Sequence, residues 1–235
     1  MSLIAILEKI VDLSLILHVS AGLGSIILFW IPIFTQKGSE IHRKIGKTYI
    51  FLMWGVIFSG IVLTFHKLDE GATDPAIFLG FLVFLAARPV WYGMAILKPY
   101  QYSSKQLKNY HIILRLILFI YGIFMLIRAT YLEDQAIILL MIVFGILGIF
   151  AGLDAWKDCR NTSKIPNKIQ GHFEGMLFSG VAAYTGFLTI GGYEFIAKYM
   201  VGYWVLIPWL LPSFVGILLI FFYRRKFSAK KIKTY

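Results

Sequence analysis

Three of the five histidines in this sequence, His42, His111 and His172, open even-numbered apolar runs from the same side, in the contexts HRKIGKTY, HIILRL and HFEGM. Neutral imidazole is a common ligand for zinc, copper and iron. Asp154, at the inner end of the fifth run, and Glu174 lie at similar depth. The helices carrying them therefore have the means to bring His42, His172 and Asp154 together as a two-histidine, one-carboxylate site for zinc or copper. No HExxH or other tight ligand spacing accompanies them, and the competing role for interfacial histidines is to cap helix ends or meet headgroups. His18 is placed differently, roughly two turns inside the first run, on a stripe with Gly22 and Ser25 at i, i+4 and i+7. An axial ligand of haem b needs such a place; a structural hydrogen bond to a carbonyl is the alternative. His66 lies at the outer end of the second run, near the surface.

Arg88, in AARPVWYG, falls about halfway along the third apolar run. An ionisable group at membrane depth is costly and is a functional candidate for that reason. It is read either as a cavity arginine that meets an anionic group (a substrate carboxylate, a lipid phosphate or a haem propionate) or as a side chain bonded to carbonyls freed by Pro89. The candidate cofactor-binding residues are thus His18, His42, His172 and Arg88, with His42, His172 and Asp154 as the metal set. Asp154 and Asp158 form an i, i+4 acidic pair, but neighbouring Lys157 and Arg160 mark a solvated loop. There is no P-loop, dinucleotide fingerprint or hydrolase elbow. Cys159 is the sole cysteine, which excludes an intramolecular disulfide and argues against an iron–sulfur cluster.

The elements that position these residues are apolar. Of 235 residues, 59% are hydrophobic and 15% charged, against about 45–50% and about 25% in soluble domains. Runs long enough to span a bilayer occur at about 13–35, 47–66, 75–97, 109–131, 135–155, 172–193 and 201–223, each near the roughly 20 residues a spanning helix needs. The net charge of +11 sits between and after these runs, not in a nucleic-acid-binding patch. Lys37, Arg43, Lys44, Lys47, Lys98, Lys105, Lys108, Lys157, Arg160, Lys164, Lys168 and the tail from Arg224 to Lys233 fall on one side. Lys67, Asp69, Glu70, Asp74, Glu133, Asp134, Glu194 and Lys198 fall on the other. The basic side must be cytoplasmic. The expectation is an all-α bundle, one domain over 1–235, of seven transmembrane helices with the N-terminus outside and the C-terminus inside.

Local signals add detail. Glu8, Lys9 and Asp12 precede the first run without a positive leader or cleavage site, so no cleaved signal peptide is expected. Asp12 is a cap for the first run, and Asp74-Pro75 reads as an N-cap with proline at the first helical position. Kinks are expected at Pro32, Pro89, Pro208 and Pro212. Small residues at Gly145, Gly148 and Gly152, and the stripe His172, Met176, Gly180, Ala183 and Gly186, are expected to face into the bundle. Gly191-Gly192 reads as a turn. The C-terminal RRKFSAKKIK reads as an anchor for anionic inner-leaflet lipid, with a partner-binding tail as the alternative.

Several of these segments together resemble a bacterial family of predicted membrane proteins catalogued as domain of unknown function 2306. The resemblance rests on His18 with Gly22, on Lys37-Gly38 followed by His42, Arg43 and Gly46, and on Asp154 through Lys168 followed by His172, Met176, Ala183 and Thr185. It covers about 15–190, implies a bacterial inner-membrane location, and draws attention to His18, His42 and His172 over His66 and His111. It supplies no activity. Four functional classes follow from the residues: a bundle holding a metal or haem cofactor on inward histidines, with redox chemistry; a small-molecule or lipid transporter built around an Arg88 cavity; an accessory membrane subunit; and a metal-dependent membrane hydrolase.

Overall fold

The computed structural model describes residues 3–98, 104–160, 168–192, 199, 204 and 206–232. Among the described residues the regular structure is entirely helical: α1 (Leu3–Phe34), α2 (Glu40–Asp69), α3 (Thr73–Ala95), α4 (Ser104–Ala129), α5 (Gln135–Arg160), α6 (Lys168–Gly186) and α7 (Ile207–Ile232). Six of them, all but α6, are long and apolar enough to cross a membrane. Large apolar side chains stand on the outside, with Phe51 77%, Ile27 68% and Ile120 65% exposed. In water such a belt would be a liability; in lipid it is the expected outer surface.

α1 and α2 pair as one hairpin and α4 and α5 as another, with α3 packed against α2, α4 and α6. α6 packs on α1, α3 and α7, and carries Gly171, Gly175, Ser179, Gly180 and Thr185 buried. Small residues on this buried face let the neighbouring backbones approach, while Ile169 and Phe178 stand exposed on the other side of the helix. After Gly186 the helix continues as a π turn, Phe187–Gly191, closed by the Gly192 amide on the Phe187 carbonyl at 2.6 Å. Gly191 thus ends a helix, and the turn expected at Gly191-Gly192 begins at Gly192. Residues 201–203 and 205, at the start of the seventh apolar run, lie outside the described residues, as do Lys164, Glu194 and Lys198.

Several boundaries differ from expectation. α1 begins at Leu3, so Asp12 lies within the helix rather than capping it; leucine, isoleucine, alanine, glutamate and lysine supply helix formers throughout that stretch. α3 begins at Thr73 with Ala72 at the cap position and no side-chain cap. Asp74 is instead occupied by Arg128 of α4, whose Nε and Nη2 donate to its two carboxylate oxygens at 2.8 and 3.0 Å. The α1–α2 loop closes at Gly38 (φ 81°), a left-handed position that suits glycine, and Ser39 caps α2 by accepting the His42 amide.

The Asp74–Arg128 fork ties α3 to α4 at the end of the bundle opposite the basic loops. Both side chains are about a quarter to a third exposed, so water screens the pair. Asp74→Asn should therefore lower stability only slightly, read as a small drop in melting temperature in detergent. An unchanged melting temperature would show that the fork does not hold these helices together.

Candidate metal centre at the basic end of the bundle

The basic end gathers the C-terminus of α1, the N-termini of α2 and α6, and the C-terminal part of α3. The last carbonyls of a helix lack intrahelical donors, and three side chains supply them to α1. Lys37 Nζ donates to the Pro32 and Ile33 carbonyls at 2.7 and 2.6 Å. His42 Nδ1 reaches the Pro32 carbonyl at 3.1 Å, and the Tyr223 hydroxyl donates to Ile33 at 3.3 Å. His42 therefore does cap a helix end, the competing role for an interfacial histidine, but with one ring nitrogen alone.

His172 lies across from it. Its Nδ1 bonds the Gly93 carbonyl of α3 at 2.7 Å. That carbonyl is within reach because α6 and α3 touch through glycine: a Cβ at Gly175 would lie 2.7 Å from Gly93 Cα. The His42 and His172 rings stand 6.4 Å apart, centre to centre, inclined at 68°. A carbonyl only accepts, so each Nδ1 must carry the proton, and each Nε2 keeps its lone pair. An imidazole with Nδ1–H on a carbonyl and its Nε2 lone pair available is the usual state of a metal-ligating histidine.

The other sequence candidates are distributed elsewhere. Asp154 is half exposed and pairs with Lys157 at 3.8 Å. It sits on α5, which packs against α4 rather than α6. Among the described residues no three histidine, cysteine, aspartate or glutamate side chains gather as a metal-holding group, so the three-ligand set reduces to its two histidines. Glu174 is taken by Gln170 Nε2 at 2.9 Å and Arg224 Nε at 2.7 Å. His18 faces α2, with Nδ1 3.1 Å from the Val56 carbonyl and 3.0 Å from Ser59 Oγ; it pins α1 to α2 in the manner of a structural histidine. At the opposite end His66 contacts Glu70 at 3.2 Å, and Lys67, at 2.6 Å, holds the Glu70 carboxyl below its ordinary range. Arg88 is half-buried and lies toward α4, where its charge is felt by His111.

Sequence reasoning missed a polar layer between α1, α2 and α6. Trp30 Nε1 donates to the Tyr184 hydroxyl at 2.6 Å, which donates on to the Ile26 carbonyl at 3.1 Å. The Tyr49 hydroxyl meets Ser179 Oγ at 2.8 Å. Partners 130 to 158 residues apart leave no spacing signal. The Asp74–Arg128 fork could have been found, since both residues lie near span ends on the same side.

Comparison of the chain with protein-family models, with curated proteins and with solved structures returned no match.

Proposed function

We propose that this chain is a seven-span protein of the bacterial inner membrane that holds a redox-active cofactor, a haem b iron or a copper ion, between His42 and His172. The observation that carries the reading is the facing pair of imidazoles, each tied through Nδ1 to a main-chain carbonyl of a neighbouring helix. Their ring centres are 6.4 Å apart. A zinc ion ordinarily takes four ligands, so two histidines suit it poorly. Haem iron needs only axial ligands from the protein, since the porphyrin fills the remaining positions.

The residues fit such a group chemically. The Pro32 and Gly93 carbonyls orient the rings and raise the basicity of Nε2. Lys37, close enough for its charge to reach His172, places a cation beside the site that favours the more reduced, less positive state. The cofactor when bound would supply one-electron transfer. α6 counts as the seventh span because it packs antiparallel along α3, with Gly171 beside Tyr92 and Ile96 and Gly175 beside Gly93 and Pro89. The basic end is the cytoplasmic one by the excess of lysine and arginine there. The likeness to the family catalogued as domain of unknown function 2306 supports the same membrane.

The test is the absorption spectrum and metal content of protein purified in mild detergent from cells supplied with iron and copper. The expected result is a Soret band that shifts on reduction, or about one copper per chain, lost in His42→Ala and in His172→Ala and retained in His66→Ala. A colourless, metal-free protein that also fails to take up added haem or copper would overturn the proposal.

A further inference from the structure

Between α3 and α4 the fold assembles a second cluster of basic side chains on two facing turns. Arg88 and Tyr92 share one face of α3 at i, i+4, and His111 and Arg115 share one face of α4 at the same spacing. Tyr92 lies over His111 with ring centres 4.4 Å apart. The two helices run in opposite directions, so one turn deeper from that stacked pair Arg88 on α3 comes opposite Arg115 on α4. His111 feels the charge of both arginines. Its Nδ1 is buried and makes no hydrogen bond.

These groups are not at the surface loops. Arg88 precedes the end of α3 by about 10 Å, and Arg115 follows the start of α4 by about 16 Å, at 1.5 Å per residue. Trp91 and Tyr110 pair beside the cluster with ring centres 5.3 Å apart, and Tyr110 and Ile113 are half exposed, so the cluster opens toward the lipid-facing surface of the bundle.

We infer that Arg88, His111 and Arg115 form a binding site for a phosphate or carboxylate group reached from the basic-side leaflet. Guanidinium presents paired N–H donors that match phosphate and carboxylate oxygens. His111 adds a buried ring nitrogen that no group of the fold satisfies. A buried polar atom without a partner is costly, and an anionic group between the helices would supply one to Nδ1–H. Convergence of two guanidiniums and an imidazole on one turn of an apolar interface makes that place selective for anions. The shared chemistry admits two sources, an anionic lipid headgroup or a free anion.

The experiment is thermal unfolding of the full chain in detergent with three probes: short-chain phosphatidic acid, the zwitterionic short-chain phosphatidylcholine, and inorganic phosphate. Saturable stabilisation by phosphatidic acid but not phosphatidylcholine is expected, with the midpoint concentration raised tenfold or more in Arg88→Gln and in Arg115→Gln. Stabilisation by inorganic phosphate at the same sites identifies a free anion as the ligand; stabilisation by the lipid alone identifies a headgroup. Arg88→Lys, which keeps the charge and loses the fork, should fall between wild type and Arg88→Gln. If the glutamine variants do not fold, native mass spectrometry of wild type and Arg88→Lys must still show retained phosphatidic acid, with weaker retention in the variant. No stabilisation and no retention by either anion overturns the inference. An undiminished lipid response in both glutamine variants also overturns it, placing the binding on the basic C-terminal tail.

Discussion

Gly175→Val should drive α6 away from α3 and scatter the histidine pair with it. A Cβ at Gly175 would lie 2.7 Å from Gly93 Cα and 2.8 Å from the Pro89 carbonyl, and both are backbone atoms that no rotamer change can move. Overpacking a core ordinarily costs about 1–3 kcal/mol. Backbone-to-backbone contact leaves less room to relax, so the loss here should reach about 3 kcal/mol. The consequence is functional as well, because the Gly93 carbonyl that orients His172 sits at this same contact. Expected results are a fall of several degrees or more in melting temperature and loss of any cofactor bound between His42 and His172. Gly186→Ala is the matched control: its Cβ meets nothing within 4 Å, and alanine favours a helix over glycine, so it should be neutral or slightly stabilising. If the two variants melt alike, the close α3–α6 contact is not what holds the site.

The second large effect is expected at Phe81→Ala, and the membrane decides its size. Phe81 is 0% exposed and packs with Ile77, Leu118, Met125 and Phe144, its ring 6.0 Å from that of Phe144. In a water-soluble core such a truncation costs about 3–5 kcal/mol, of which a large part is transfer from water. Here the alternative surroundings of the side chain are lipid, which is as apolar as the core. Only the packing loss remains: roughly 100 Å³ of emptied space at about 24 cal/mol per Å³ gives about 2.4 kcal/mol. Phe51→Ala, at a position 77% exposed on the outside of the bundle, leaves no internal void and should cost little. Denaturation in mixed micelles compares the two directly. Equal losses would mean that Phe81 does not pack inside the bundle.

The division of the chain into helices is legible in its hydropathy, and the reason is the solvent. Hydrocarbon offers no partner to a backbone N–H or carbonyl, so each crossing segment must satisfy its own and must be apolar enough to enter. Hydropathy therefore reports α1 to α5 and α7 directly. α6 is legible by position but is less apolar, because Lys168, Gln170, His172 and Glu174 occupy its first two turns. Helix ends are less legible: α1 runs back to Leu3 and α3 starts one residue before Asp74, since nothing in lipid chemistry marks where a helix stops outside the membrane.

Depth along a span is linear in sequence, which is why His42 and His172 fall at one boundary by residue counting alone. Direction around the helix axis is not. Whether His172 meets His42 or Asp154, whether His18 faces a cofactor or the Val56 carbonyl, and whether Arg88 lies near His111 all depend on how helices rotate against one another. That rotation is set by contacts such as Gly175 on Gly93 and Gly148 on Gly122, between residues far apart in the chain. Local pattern has no term for them. Hydropathy and the order of charges are enough to establish the apolar helices, the side on which the basic residues gather and which polar residues share a level. Only tertiary packing, through backbone approach at glycine and the carbonyls it brings into reach, decided which of those residues face one another.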